Sequence, residues 1–174
     1  MKDFIDFLCR TVKEIDKKLV TLVCLYPELD VPSRFGTENW EEIAKIRDLD
    51  IISSDPYWIG IEDRIGAEKS PYQLRPFERS LKERIFWFSD KIVKLARENS
   101  KISGLWVQAV SIPAGREDDV YNSVIWAASR GIEVIAAWSY KDYSFLNPSD
   151  NPELVWEKLT KAFKRVLEKN HTLS

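Results

Sequence analysis

Hydrophobic residues along this chain follow two periods that take turns. Residues 3–18 set Phe4, Ile5, Phe7, Leu8, Val12 and Ile15 at helical spacing among Lys and Asp/Glu, which predicts an amphipathic helix that must dock on a neighbour. Residues 19–25 are then almost wholly apolar, as in a parallel strand covered on both faces. Strand-length apolar runs return at 49–53, 105–110 and 132–137, and each ends in a cluster of aromatic and polar residues. Helical spacing fills the intervals. Thr37 offers an N-cap for a short helix through Arg47 with Trp40, Ile43 and Ala44 turned inward. Ser70 with Gln73, and Pro71 at the first helical position, predict the opening of the longest helical stretch, which Pro76 breaks before a main helix over 77–99. A helix over 116–129 is closed by Gly131 as a left-handed stop, and Asn151-Pro152 starts the last helix. Loops are expected at 26–36, 59–69 and 141–150.

Strand and helix therefore alternate four times after an initial helix, within a single domain over residues 1–174. The fold class this implies is α/β, with four parallel βα units forming half of a (β/α)8 barrel. The alternative with the same grammar is an open doubly wound sheet. Half a barrel leaves one sheet face and two edges bare, so something must cover them. The expected cover is a second copy, giving a homodimer about a two-fold axis, or a complementary N-terminal half-barrel.

Composition narrows the partners. The 174 residues are 44 % hydrophobic, with seven Trp, eight Phe and six Tyr, enough for a substantial core. A net charge of −2 with no long basic run argues against nucleic acid. No apolar stretch spans a bilayer, and residues 1–18 mix charge with hydrophobes where a signal peptide would not, so the expectation is a cytoplasmic protein with no membrane partner. Charged residues at 31 %, with one Met and two Gln, lean towards a thermophile. Cys9 and Cys24 are expected as isolated, buried thiols. The sole histidine, His171, stands near the C-terminus, which argues against a Ser-His-Asp triad or a zinc site. Gly60 and Gly66 are too far apart for a phosphate-cradling loop, so no cofactor is expected.

Candidate chemistry gathers in the tails of the strands, where parallel α/β proteins place their sites. After the second run, Ser54-Asp55-Pro56-Tyr57-Trp58 joins a carboxylate to two large rings. That pairing suits a sugar, whose apolar faces stack on Tyr57 and Trp58 while Asp55 accepts from hydroxyls; it equally suits a turn with buried rings. Gln108 is an amide in an apolar strand, so it either reads a ligand hydroxyl or completes an internal network. Trp138 and Tyr140 frame the fourth tail as further stacking surfaces. Glu28, directly after the first run, and Glu117 join Asp55 as the acids within reach of general acid or base work. Arg116 could clamp an anionic substrate, although acids at 117–119 also suit a helix N-terminus for electrostatic reasons alone.

At these tails the chain resembles the C-terminal half of glycoside-hydrolase-like (β/α)8 proteins. The residues that carry the resemblance are Asp55-Pro56-Tyr57-Trp58, Trp106-Val107-Gln108-Ala109 and Ala137-Trp138-Ser139-Tyr140. In the large retaining clan of that class a proton donor follows the fourth strand, a nucleophilic glutamate ends the seventh and a tryptophan often ends the eighth. If the present strands correspond to the fifth through eighth, Trp138 fits the last feature. Gln108 stands where the glutamate is expected, and the proton-donor position falls before residue 1. An amide can neither attack as a carboxylate nor carry the proton, so retaining hydrolysis by this chain alone does not follow. The resemblance implies a carbohydrate-binding half-barrel that hydrolyses glycosidic bonds when assembled. A non-catalytic subunit or assembly module is the alternative from another class.

Overall fold

The computed structural model describes residues 1–25, 39–59, 80–140 and 148–171. Within them lie helix α1 (Lys2–Ile15), strand β1 (Leu22–Leu25), helix α2 (Trp40–Ala44), strand β2 (Ile51–Ser54), helix α3 (Leu81–Glu98), strand β3 (Ile102–Gln108), helix α4 (Glu117–Ser129), strand β4 (Val134–Trp138) and helix α5 (Pro152–His171). The expected loops over 26–36 and 60–69, the caps at Thr37 and Ser70, the Pro76 break and Glu28 lie outside the described residues.

The strands form one parallel sheet in the order β1-β2-β3-β4, each beside its successor. A doubly wound sheet would reverse direction partway and carry helices on both faces. Here the helices touch one another in chain order, from α1 with α2 through to α4 with α5, with α3 over β2 and β3 and α4 over β3 and β4. The fold is thus the singly wound layout of a half-barrel. Side-chain alternation agrees: Leu25, Ile52, Leu105 and Val107, which point to the helices, are wholly buried. Their strand neighbours Leu22, Cys24, Ile102 and Trp138 point the other way and are exposed. Cys24 is therefore not the buried thiol expected from its apolar run, because its place in the alternation turns it to the open face.

Local chemistry explains the element ends. Asn39, rather than a residue further upstream, accepts from Glu42 N at 3.1 Å and caps α2. Ser80 accepts from Glu83 N at 3.2 Å and caps α3, a Ser-x-x-Glu signature that the Ser70-x-x-Gln73 pattern overshadows in the sequence. Gly131 ends α4 at φ +86°, as its position predicts. Gly104 is needed for close approach between β2 and β3, since a Cβ there would lie 2.8 Å from the Ser53 Cβ.

At the N-terminal ends of β1 and β2, Asp50 accepts from Thr21 N at 2.8 Å and pairs with Lys13 of α1 at 2.6 Å. Burial opposes the Asp50 charge, but Lys13 and Thr21 together hold its carboxyl below the usual range. This clamp ties α1 to the base of the sheet, and Cys9 on the same helix is buried beside Thr21. Among the described residues no helix is long and apolar enough to cross a membrane.

Candidate functional site

Ile51 and Ser53 share the face away from the helices, and Asp55, one residue past the end of β2, meets the Cys24 thiol on that same face. Ser54, on the other face, donates to Leu25 O at 2.6 Å and fastens the strand end. The Asp55-Pro56-Tyr57-Trp58 segment is held at three points. Tyr57 N donates to Asp55 O at 2.6 Å, Arg84 Nε of α3 donates to Pro56 O at 3.2 Å, and Trp58 N donates to Gln108 Oε1 at 2.8 Å. A segment tied to both a helix and a neighbouring strand presents its side chains in fixed directions, as a binding site requires.

Burial pushes the Asp55 carboxyl up to about 6, and a hydrogen bond from the Cys24 thiol only partly offsets it. The thiol hydrogen-bonds with both Asp55 and Ser53; although the residue as a whole is exposed, packing around its sulfur and the nearby Asp55 charge push the thiol up to about 12. Desolvation, followed by that same charge, also raises the Tyr57 hydroxyl. Asp55, Cys24 and Tyr57 thus form one cluster in which Asp55 alone exchanges a proton near neutral pH. Beneath it, Trp106 donates to Ser53 Oγ at 3.3 Å, and Ser53 passes its own hydrogen to Val23 O at 2.7 Å. Trp106 shares the open face with Trp138, which is 47 % exposed. Cys24 and Trp106 join this cluster through the sheet register, Cys24 opposite Ser53 on the neighbouring strand and Trp106 bonding to Ser53, a relation that no local spacing carries.

Other candidates lie elsewhere or are engaged otherwise. Of the two readings open to Gln108, the structure takes the internal one. Its Oε1 accepts from Trp58 N and from Ile59 N (3.0 Å), and its Nε2 donates to Ile59 O (2.9 Å) and Val110 O (3.0 Å). Both lone pairs and both hydrogens are used, so none is left to read a ligand hydroxyl. Glu117 is buried and accepts from Asn151 Nδ2 at 2.8 Å; that bond, first among its contacts, lowers its carboxyl. Arg116 pairs with Asp119 within the first turn of α4, at 2.7 Å. Neither Glu117 nor Asp55 is among the groups that shift the other's carboxyl. Tyr140 packs its ring against Trp156 of α5 at 5.1 Å, and the Trp138–Ser139 peptide bond just before it is cis. Among the described residues no three His, Cys, Asp or Glu side chains converge to hold a metal ion.

Neither a protein-family model nor a curated protein matches the sequence. Among solved structures, the fold is similar to the endo-1,4-beta-mannanase from Rhizomucor miehei, with a TM-score of 0.57 at 13 % identity. The match covers 94 % of this chain and 46 % of that chain, so the chain spans about half the length of the structure it matches. Half the length of a glycoside-hydrolase barrel is what four βα units amount to.

Proposed function

We propose that this chain is a carbohydrate-binding half-barrel of glycosidase-like fold, with Asp55, Tyr57 and Trp138 on its ligand-facing rim. The observation that carries the reading is the Asp55 cluster at the carboxyl end of β2. There the half-buried Asp55 carboxyl, pushed up to about 6 by desolvation, sits beside the Tyr57 ring, on the sheet face that also bears Trp106 and Trp138. Rings stack on the apolar faces of a pyranose, while a carboxylate accepts from its hydroxyls. Hydrolysis needs a second carboxylate on the opposite side of the scissile bond. Gln108 and Glu117 do not supply one, so cleavage on this reading waits on Glu28 or on an acid from a second half that closes the barrel.

The name of the similar mannanase makes β-1,4-linked manno-oligosaccharides the first ligands to test, with cello-oligosaccharides beside them. Calorimetric titration is expected to show binding that Trp138→Ala and Asp55→Asn each weaken at least about tenfold, roughly 1.4 kcal/mol, without lowering the melting temperature. Absence of binding to any oligosaccharide, or binding indifferent to both substitutions, would refute the proposal. An assembly module is favoured by one observation of its own: Gln108 and Tyr140, both expected to read a ligand, spend their contacts within the chain. In that case Asp55→Ala changes stability and nothing else.

A further inference from the structure

Gln108 is the last residue of β3 and shares the helix-free face with its register partner Trp138. Trp138 is 47 % exposed there, whereas Gln108 is 1 % exposed. What meets the amide on that face is the chain itself. Its Oε1 accepts from Trp58 N at 2.8 Å and Ile59 N at 3.0 Å, and its Nε2 donates to Ile59 O at 2.9 Å. One side chain thus takes the place of a neighbouring strand for two consecutive residues, and Ile59 beyond them is buried against the core.

These bonds act further back along the chain than the residues that make them. A peptide unit is planar, so holding one of its atoms constrains the torsions on either side. Gln108 holds the Tyr57–Trp58 peptide through its N–H, and Arg84 Nε holds the Pro56–Tyr57 peptide through its C=O at 3.2 Å. Both planes that flank the Tyr57 Cα are therefore pinned from outside the segment. Tyr57 N also donates to Asp55 O at 2.6 Å, and the ring of Pro56 fixes φ between them, which closes Asp55-Pro56-Tyr57 into a three-residue turn. Each of the three peptides from Asp55 to Trp58 carries a hydrogen bond, so the position of Gln108 is passed on to the turn that bears Asp55 and Tyr57. Those two side chains are half-buried and close enough for the Asp55 charge to act on the Tyr57 hydroxyl. We infer that Gln108 is a positioning residue of this rim: with no contact to a ligand, it fixes where Asp55 and Tyr57 stand, and it does so through the Trp58 peptide. On the proposed function, on which this consequence rests, loosening Gln108 weakens saccharide binding although the amide meets no sugar.

The test follows the Asp55 carboxyl carbon by NMR from about pH 3 to about pH 8 in the full chain, as parent and as Gln108→Met, with circular dichroism confirming the fold. Burial holds that carboxyl up at about 6. Release of the turn admits water, so the midpoint is expected to fall to about 5 or below, towards the ordinary 3.8. Gln108→Asn, which keeps an amide with a shorter reach, is run beside it and carries the test if the Met variant does not fold; its midpoint is expected to fall in the same direction. Asn151→Ala, which removes a bond to Glu117 instead, is expected to leave the midpoint at about 6. A midpoint unchanged at about 6 in a folded Gln108 variant would overturn the inference and leave the amide as a staple of the fold alone. An equal fall in Asn151→Ala would overturn it too, by tracing the effect to general loosening. No saccharide enters these titrations, so failure here is distinguishable from failure of the proposed function.

Discussion

Replacing Gln108 by Leu keeps most of the side-chain volume and deletes four hydrogen bonds at once. The groups left behind are Trp58 N–H, Ile59 N–H, Ile59 C=O and Val110 C=O, and the bonds to Ile59 and Val110 are buried. An orphaned buried polar group costs about 1–3 kcal/mol. Trp58 is only part-buried and its N–H can turn to water, so the low end applies there, and with the three buried groups the expected loss is about 4–10 kcal/mol. That is a large share of the roughly 5–15 kcal/mol that holds a domain folded. Urea unfolding followed by tryptophan fluorescence measures it, with an unchanged m-value as the check that the denatured state is the same. Gln108→Glu sharpens the test. A carboxylate can still accept from Trp58 and Ile59, but its other oxygen would face the Ile59 and Val110 carbonyls where the amide now donates. The folded state then favours the protonated acid and raises its pKa. Stability should be best retained below the ordinary glutamate value of about 4.3 and lost as pH rises through the folded pKa. A Leu variant within about 1 kcal/mol of the parent would refute the clamp and return the amide to the ligand.

Three further outcomes follow from the same geometry. Because the Asp55 carboxyl stands at about 6 when folded, against an ordinary value of 3.8, its burial favours the protonated form; stability is fully present below pH 4 and falls as pH rises through 6. Asp55→Asn should abolish that slope and raise stability at pH 8 by roughly 2–3 kcal/mol, with little change at pH 4, measured by denaturation at both pH values. Asn151→Ala removes the bond that lowers Glu117, a depressed carboxyl whose contribution is present above its unfolded pKa and lost as pH falls through the folded one. About 1 kcal/mol should go at pH 7 and less in acid, by thermal melts across that range. Gly104→Ala drives a methyl group against Ser53 and Ile51 across β2 and β3, and calorimetry should show a loss of about 1–3 kcal/mol.

The element order was legible because parallel strands and amphipathic helices write different periods, and Gly131 ended α4 as its position predicted. Facing within the strands was not, since residues 19–25 are apolar almost throughout and nothing local says that Cys24 looks away from the helices. The two readings of Gln108 are separated by Trp58 and Ile59, some fifty residues distant, and no local pattern carries that contact. Glu117 has the same lesson. Its first-turn position suits the helix dipole, and the bond it accepts from Asn151 at the start of α5 is one that no local pattern carries.

One property of the strands belongs to the sequence and the structure together. Apolar residues occupy both alternate sets in β1, so that Leu22 and Leu25 are equally hydrophobic, yet Leu25 is wholly buried and Leu22 is 41 % exposed. Strands that face solvent on one side ordinarily alternate polar with apolar, whereas continuous runs belong to sheets covered on both faces. Ile102 in β3 breaks the ordinary pattern in the same way. The composition of the strands is that of a sheet covered on both faces, while among the described residues Leu22, Ile102 and Trp138 stand exposed on the helix-free face. Asp55 and Trp138 open onto that same helix-free face. A cover on that face would form the far wall of the proposed site, so on that proposal assembly and ligand recognition are properties of one surface.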